Sequence, residues 1–498
     1  MKLRAAALLL AALMFASSAL SCGEAKDAPS AGTTAQAQTA ETVPEETTSP
    51  LLDDLPDDID LGGMNIRCFG RVSSSRGDEV SVEEMNGEVI NDAVYTRNLN
   101  VEQRLNCKIT DNLIKGGGDY DAYNELKVTV QAGSDDFDLF VNNSYTSATA
   151  SADGFFVEIS QMEHIDREKP YWSQGYNWSA SNGGRQYLLT GSGFLGFYRF
   201  MCATVFNKSM FARYDVALPY QTVIDGLWTV DAQIDLAKKF YADLNGDGVK
   251  DEGDNYGYVT NAVRDTGIND GFWASLDLRV IGKDEDGWYC SVFDAEKFSI
   301  AIDKLLGLIY SDGSGTFGEA LNDTPVGDIF FQGRAAMRNA SVGFAESGNA
   351  RNMEDDYGFL PMAKATEEQK EYYSLDQDQF IVYGVPLTVS ADRIESLGAF
   401  LEAYASESYA TVRPAYYEIA LTQKYMNDEE SKQMLNLITD SLYIDPAILY
   451  LSMSPINVNT LRTLLSKGEN NIASTLAKQE KSMQKFIDRV NKAYGSEG

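Results

Sequence analysis

Met64-Asn65-Ile66-Arg67-Cys68-Phe69 alternates apolar and polar side chains, the period-two pattern of a half-buried strand. Asn91 to Leu105 follows, with apolar residues at Ala93, Val94, Leu99, Val101 and Leu105 at helical spacing, and Cys107 to Ile109 returns to strand character. Asp138-Leu139-Phe140-Val141 is another short apolar run, ending at Asn142-Asn143-Ser144-Tyr145. Strand, helix, strand, helix, strand predicts a parallel α/β sheet. In such sheets ligands sit beyond the carboxyl ends of the strands. Asn142, Asn143 and Tyr145 are therefore expected on a ligand-facing loop; a helix-capping loop is the alternative.

Working outward, a helix is expected after Trp228, with Thr229 as its N-cap and Val230, Ile234, Ala237 and Tyr241 on one face. Phe298 to Tyr310, Ser390 to Tyr404 and Asn470 to Tyr494 show the same period, the last through Ile472, Leu476, Met483, Phe486, Ile487 and Val490. These read as core stripes. There is no internal repeat and no basic amphipathic helix. The stretch from Leu61 to Gly498 exceeds the roughly 250–300 residues at which single cores stop growing. Two lobes are expected.

The N-terminus carries Lys2 and Arg4 before an apolar run from Ala5 to Leu20, too short for a stable span and flanked like an export signal. It ends at Ala19-Leu20-Ser21-Cys22-Gly23, which resembles the lipobox of bacterial lipoproteins, although Leu stands at position 20 where that pattern has it at 19. The resemblance implies cleavage after residue 21 and lipidation of Cys22; an ordinary secretory peptide is the alternative. Gly23 to Asp60 has no aromatic residue and ends in the acidic cluster Asp53, Asp54, Asp57, Asp58 and Asp60. This composition reads as a disordered tether spanning roughly 30–35 Å.

The formal charge of −33 weighs against nucleic acid and anionic lipid as partners and is compatible with neutral sugars or cations. Beyond Cys22 there are Cys68, Cys107, Cys202 and Cys290, either paired in an export compartment or buried as thiols. His164 is the one histidine and no Cys-x-x-Cys occurs, which argues against zinc clusters and against Ser-His or Cys-His catalysis.

Asp243-Leu244-Asn245-Gly246-Asp247-Gly248-Val249-Lys250-Asp251-Glu252-Gly253-Asp254 is spaced like a calcium loop. Asp243, Asn245 and Asp247 place oxygens at positions one, three and five, and Gly248 permits the turn at six. The Val249 carbonyl serves at seven, Asp251 at nine and Asp254 at twelve, where an EF-hand has Glu. A structural Ca²⁺ is expected; a solvated acidic turn is the alternative.

Several segments resemble the extracellular solute-binding proteins of the maltose-binding type, the family 1 receptors of carbohydrate ABC importers. They are Val205-Phe206-Asn207-Lys208, Leu227-Trp228-Thr229-Val230-Asp231, the Asp243 loop with Asn255-Tyr256-Gly257-Tyr258 after it, Phe331-Gln332-Gly333-Arg334-Ala335-Ala336-Met337, and Tyr357-Gly358-Phe359-Leu360-Pro361. The resemblance covers roughly Leu61 to Ala405. It implies a two-lobed, type II periplasmic-binding-protein-like α/β fold, with parallel-rich sheets flanked by helices and an interlobe cleft. The lobes it implies are residues 61–200 with 360–410, and 201–359 with 411–498. It also implies a monomer on the outer face of the cytoplasmic membrane, touching the membrane through its lipid alone. That monomer binds a sugar or oligosaccharide without catalysis and delivers it to permease subunits.

Ligand contacts implied by the resemblance are Trp273 in Gly271-Phe272-Trp273-Ala274, Phe206, and Phe344 after the Ala-Met element. Asp376 and Asp378, near the second crossing, are candidates for sugar hydroxyls. Trp172 and Trp178 lie in a polar, Ser- and Gly-rich stretch that reads as exposed loop. The alternatives are a secreted glycoside-acting enzyme, which needs two carboxylates about 5–10 Å apart, a surface scaffold or adhesin, and the same fold with a peptide or cation as ligand.

Overall fold

Residues 52–72, 80–262, 269–311, 313, 315–318, 326–422 and 429–496 are described in a computed structural model. The first strand, β1 (Met64–Val72), is followed by helix α1 (Val89–Leu105), β2 (Cys107–Lys115), α2 (Asp121–Ala132) and β3 (Leu139–Asn143). β1 pairs in parallel with both β2 and β3, as the strand–helix–strand order predicts. The three strands belong to a four-stranded sheet of order β11-β3-β1-β2. Its β11 (Ile381–Gly384) arrives from far along the chain and lies antiparallel on β3. A Cβ at Gly70 would stand 1.6 Å from the Val141 carbonyl oxygen, so β1 and β3 approach as closely as they do because that residue has no side chain.

On α1 the buried face runs through Ile90, Val94, Arg97, Val101 and Leu105, while Leu99 is exposed. Arg97 takes a core position because its guanidinium lies 4.0 Å over the Tyr404 ring and its nitrogens bond the Ser408 hydroxyl and the Val80 carbonyl. The acidic segment from Leu52 to Asp60 lies along this lobe. Leu55 is buried, and Asp53 receives both Arg104 nitrogens at 2.7 and 2.9 Å. Residues 1–51, with Cys22 and most of the expected tether, fall outside the described residues.

After β3, helix α3 (Ser144–Ala152) and the short α4 (Gln174–Ala180) complete this lobe. Trp172 is not on an exposed loop. It is buried, donating its indole N–H to Glu402 at 3.0 Å, and the Tyr171 hydroxyl donates to the same carboxylate. Burial pushes the Glu402 carboxyl up to about 7. Trp178 does stand partly exposed.

The second sheet is five-stranded, β10-β4-β9-β5-β8, built from β4 (Cys202–Asn207), β5 (Tyr256–Thr260), β8 (Thr316–Gly318), β9 (Ala335–Ser341) and β10 (Tyr357–Leu360). β5 is parallel to β8 and β9, and β4 is antiparallel to its neighbours. Helix α5 (Val230–Ala237) begins where Thr229 accepts the Ala232 amide at 3.2 Å. It ends earlier than the apolar period suggests, leaving Tyr241 beyond it. α6 (Gly271–Ser275), the β6–β7 hairpin (Ile281–Lys283, Tyr289–Ser291) and α7 (Ala295–Tyr310) follow.

After β11, α8 (Ala391–Ala410) packs on α1 of the first lobe. The chain ends with α9 (Pro446–Leu449), α10 (Val458–Lys467) and α11 (Ile472–Ala493). All six apolar residues expected on one face of α11 are buried. Cys68, Cys107, Cys202 and Cys290 are free thiols. The β1–β2 register sets Cys68 opposite Asp111 and Cys107 opposite Met64, so the two strand cysteines are not neighbours.

Candidate functional site

Two strand-like segments pass side by side between the sheets. Met201 bridges Asp376, the Cys202 amide donates to the Leu375 carbonyl at 2.8 Å, and the Gln377 amide donates to the Phe200 carbonyl at 3.1 Å. They bring the carboxyl end of β3 beside Asp376 and Asp378, two groups more than two hundred residues away in sequence.

Asn142 to Tyr145 do not form a loop. Asn142 and Asn143 are the last residues of β3, and Ser144 and Tyr145 open α3 directly. Asn143 makes this junction by accepting the Thr146 amide at 3.1 Å, a side-chain N-cap. The Ser144 amide donates to the Phe380 carbonyl at 2.9 Å and its hydroxyl to the Asp378 carbonyl at 3.0 Å. Asn142 Oδ1 and Asn143 Nδ2 are buried without a hydrogen-bond partner. A buried unpaired amide group costs about 1–3 kcal/mol, so this strand end offers a donor and an acceptor to whatever enters.

Charged groups surround the same place. Arg71, at the end of β1, pairs with Asp119 at 3.0 Å and donates to Gln379 at 3.3 Å. Asp119 in turn meets the Tyr145 hydroxyl, and burial with that carboxylate raises the tyrosine's pKa. Tyr120 stands edge-on to Tyr145 with centroids 6.3 Å apart, 38% exposed, and its hydroxyl donates to Ser452. Asp270, just before α6, is 3% exposed and held by Arg462 of α10 through two bonds, one of 2.8 Å. Burial still raises the Asp270 carboxyl to about 6, against the pull of Arg462.

Asp378 lies between these groups. The Gln377 side-chain amide donates to its carboxylate at 3.1 Å. Its pKa is raised by burial and by the Asp119 charge, against the opposing field of Arg462. The sequence singled out Asp376, Asp378, Asn142, Asn143 and Tyr145; it did not single out Arg71, Asp119, Tyr120, Asp270 or Arg462.

The aromatic candidates are buried in the core. Phe206 is fully buried, edge-on to Phe211 and Tyr220 at 5.4 Å. Phe344 stacks on Phe331 at 5.4 Å within a cluster that includes Phe330, Tyr357 and Phe359. Trp273 is buried against Phe298, with its indole beside Asp445. Phe206 and Phe344 thus pack apart from the charged groups, whereas the Trp273 amide donates to the Asp270 carbonyl at 2.8 Å.

The acidic loop after α5 is closed by reciprocal backbone bonds between Ala242 and Asn255. Within it Asp243 accepts the Gly246 and Gly248 amides at 2.6 and 2.8 Å, which hold its carboxyl below the usual range. Gly246 and Gly248 take φ of 74° and 76°, the left-handed region that favours glycine. Asp247 accepts the Val249 amide, Asp251 the Gly253 amide, and Asp254 Oδ1 the Leu244 amide at 3.0 Å. Asp254 is fully buried, and its Oδ2 has no hydrogen-bond partner. That orphaned oxygen at position twelve fits a cation held by the loop. Among the described residues, Glu163, His164 and Glu395 also bring metal-capable atoms within 4.8 Å of one another, but both glutamates are exposed.

No family model matches the chain, and no curated protein matches it. Solved structures do. The cyclic alpha-maltosyl-1,6-maltose binding protein from Arthrobacter globiformis superposes with a TM-score of 0.55 at 12% identity, covering 86% of this chain and 100% of that one. UgpB from Mycobacterium tuberculosis, in complex with glycerophosphocholine, gives 0.52 at 14% identity, covering 86% and 99%. The ABC substrate-binding protein Lmo0181 from Listeria monocytogenes, in complex with cycloalternan, gives 0.50 at 15% identity, covering 87% and 99%. At these identities the likeness is one of fold: two α/β lobes with parallel-rich sheets flanked by helices.

Proposed function

We propose that this chain is the solute-binding component of an ABC importer, taking a sugar or oligosaccharide between its lobes without catalysis. The observation that carries the reading is the Asp378 carboxylate. It is half-buried between the β3 end of one lobe and the Asp270–Arg462 pair of the other. A carboxylate kept from water needs donors, and a vicinal diol supplies two. Of proteins with the same fold, one is in complex with cycloalternan and another is a cyclic alpha-maltosyl-1,6-maltose binding protein. The proposed contacts are Asp376, Asp378, Asn142, Asn143 and Tyr145, joined by Tyr120 as an aromatic face. Trp273, Phe206 and Phe344 serve as packing behind the lobe surfaces. The lobes are taken as 61–200 with 360–410, and 201–359 with 411–498. Ligand favours the closed arrangement that meets the permease.

Lipid on Cys22 holds the monomer outside the cytoplasmic membrane beside that permease, which raises the effective concentration. Metabolic labelling with a fatty acid, lost in Cys22→Ser, checks the anchor. The Asp243–Asp254 loop holds a structural Ca²⁺, with Asp243, Asn245, Asp247, the Val249 carbonyl, Asp251 and Asp254 as ligands. The ion pins the turn between α5 and β5.

A calorimetric and thermal-shift screen of mono- and oligosaccharides, run with calcium and with chelator, tests both readings. One-to-one binding of an intact saccharide supports transport, and cleavage of the saccharide moves the protein to the glycoside-acting enzymes. Silence across all sugars removes the carbohydrate assignment. Calcium is expected to raise Tm by several degrees in the wild type and not in Asp254→Asn; equal shifts in both remove the metal site.

A further inference from the structure

Helix α11 belongs by packing to the second lobe, lying along α7 and against β7. Its last turn nevertheless reaches the first lobe. The Tyr494 hydroxyl lies 3.2 Å from Ser151 at the end of α3 and accepts from Tyr450 at 2.9 Å, with all three side chains buried. Arg185 donates to the Tyr494 carbonyl at 2.7 Å, and the Tyr187 ring stands edge-on to Tyr494 at 4.9 Å.

Asn182, on the first lobe, is fully buried and closes a ring of bonds. It donates to Asn491 of α11 at 3.0 Å and accepts the Tyr289 amide of β7 at 2.9 Å, while Asn491 donates to the Tyr289 carbonyl at 3.0 Å. Beside it the first lobe's Gly183 lies under the Trp288 ring, where a Cβ would stand 2.3 Å away. At the centre of this seat Ser151, Asn182, Tyr289, Tyr450 and Tyr494 are buried and hydrogen-bonded, while Arg185 stands exposed at its rim. The centre is built like a protein interior rather than like the wet surfaces that part when a cleft opens.

We infer that the end of α11, with the β6–β7 hairpin, is a noncovalent strut joining the two lobes independently of ligand. The covalent crossings leave a hinge free to turn; the strut adds a further connection to that hinge and limits how far the cleft opens. Opening past that limit would expose the tyrosine cluster and break the Asn182 ring, which must re-form on closure. The inference rests on the two-lobed fold and not on which solute is bound, so it stands or falls separately from the proposed function.

The test uses the ligand-free full chain, followed by hydrogen exchange and solution X-ray scattering. In the wild type, α3 and α4 are expected to exchange slowly and the radius of gyration to stay below that of variants in which the strut is cut. In Asn182→Ala, and in the milder Arg185→Ala, exchange in α3 and α4 is expected to rise at least tenfold and the radius of gyration to increase. Exchange in β4 and β9 stays at the wild-type rate, which separates release of the strut from general unfolding. Wild-type protein whose radius of gyration and exchange in α3 and α4 already equal those of the variants overturns the inference. So do variants that neither exchange faster nor open.

Discussion

Asp378→Asn is expected to weaken saccharide binding by roughly 10- to 150-fold while raising the Tm of the ligand-free protein. Hydrogen bonds to a charged acceptor contribute about 1.5–3 kcal/mol each, and the amide turns one of two acceptor oxygens into a donor. The gain in stability has a separate cause. Burial and the Asp119 charge raise the Asp378 pKa, so the ionised form is held at a cost to the fold. The stability contributed by this group is complete below the unfolded carboxylate pKa and is lost as pH rises through the folded value. Asparagine carries no such cost, and its advantage should appear at pH 8 and vanish at low pH. Affinity in the wild type should fall as pH drops through the same raised pKa, because the ligand needs the ionised acceptor. Calorimetry and thermal melts across pH 4–8 read both. An Asp378→Asn protein that binds its saccharide like the wild type places the ligand elsewhere.

Arg462→Ala is the variant expected to damage the fold most. It leaves Asp270, 3% exposed, without the partner that bonds both of its oxygens. Breaking a buried pair from one side costs about 3–5 kcal/mol. Asp270 already titrates near 6 with Arg462 in place, and without it the pKa rises further, so the carboxyl takes up a proton at neutral pH. The loss should therefore be largest at pH 8 and small near pH 4, where the group is protonated in both proteins. Denaturant melts at the two pH values measure it. Asp270→Asn placed on Arg462→Ala should recover most of the loss at pH 8; if it recovers none, the destabilisation has a source other than the stranded carboxyl.

Several elements were legible because their signals are local. Period two marks Met64 to Phe69, period 3.6 marks α1 and α11, and Thr229 caps α5 where its hydroxyl predicts. What escaped the sequence depends on residues far apart. β11 joins β3 from some 240 residues downstream, and no pattern in Ile381 to Gly384 names its neighbour. Trp172 sits in a run of polar residues and is buried among Leu189, Phe194 and Phe400, with Glu402 accepting its indole N–H. Asp270 and Arg462, 192 residues apart, carry no motif. The aromatic candidates were read from position in a resembling family, and an aromatic residue in a strand such as β4 finds a core partner as readily as a ligand. The Asn142 to Tyr145 segment was located correctly at the strand end, but its conformation was not, because Asn143 caps α3 with no intervening residue.

That direct passage from β3 into α3 bears on the thermodynamics of recognition. A wall made of a strand end and the first turn of a helix, each fixed by backbone bonds, has little conformational freedom left to surrender when a solute arrives. The entropic penalty of ordering, about 1–2 kcal/mol for each residue that must be immobilised, was met during folding. Capture at this wall should show in calorimetry as an enthalpy opposed by only a small loss of entropy.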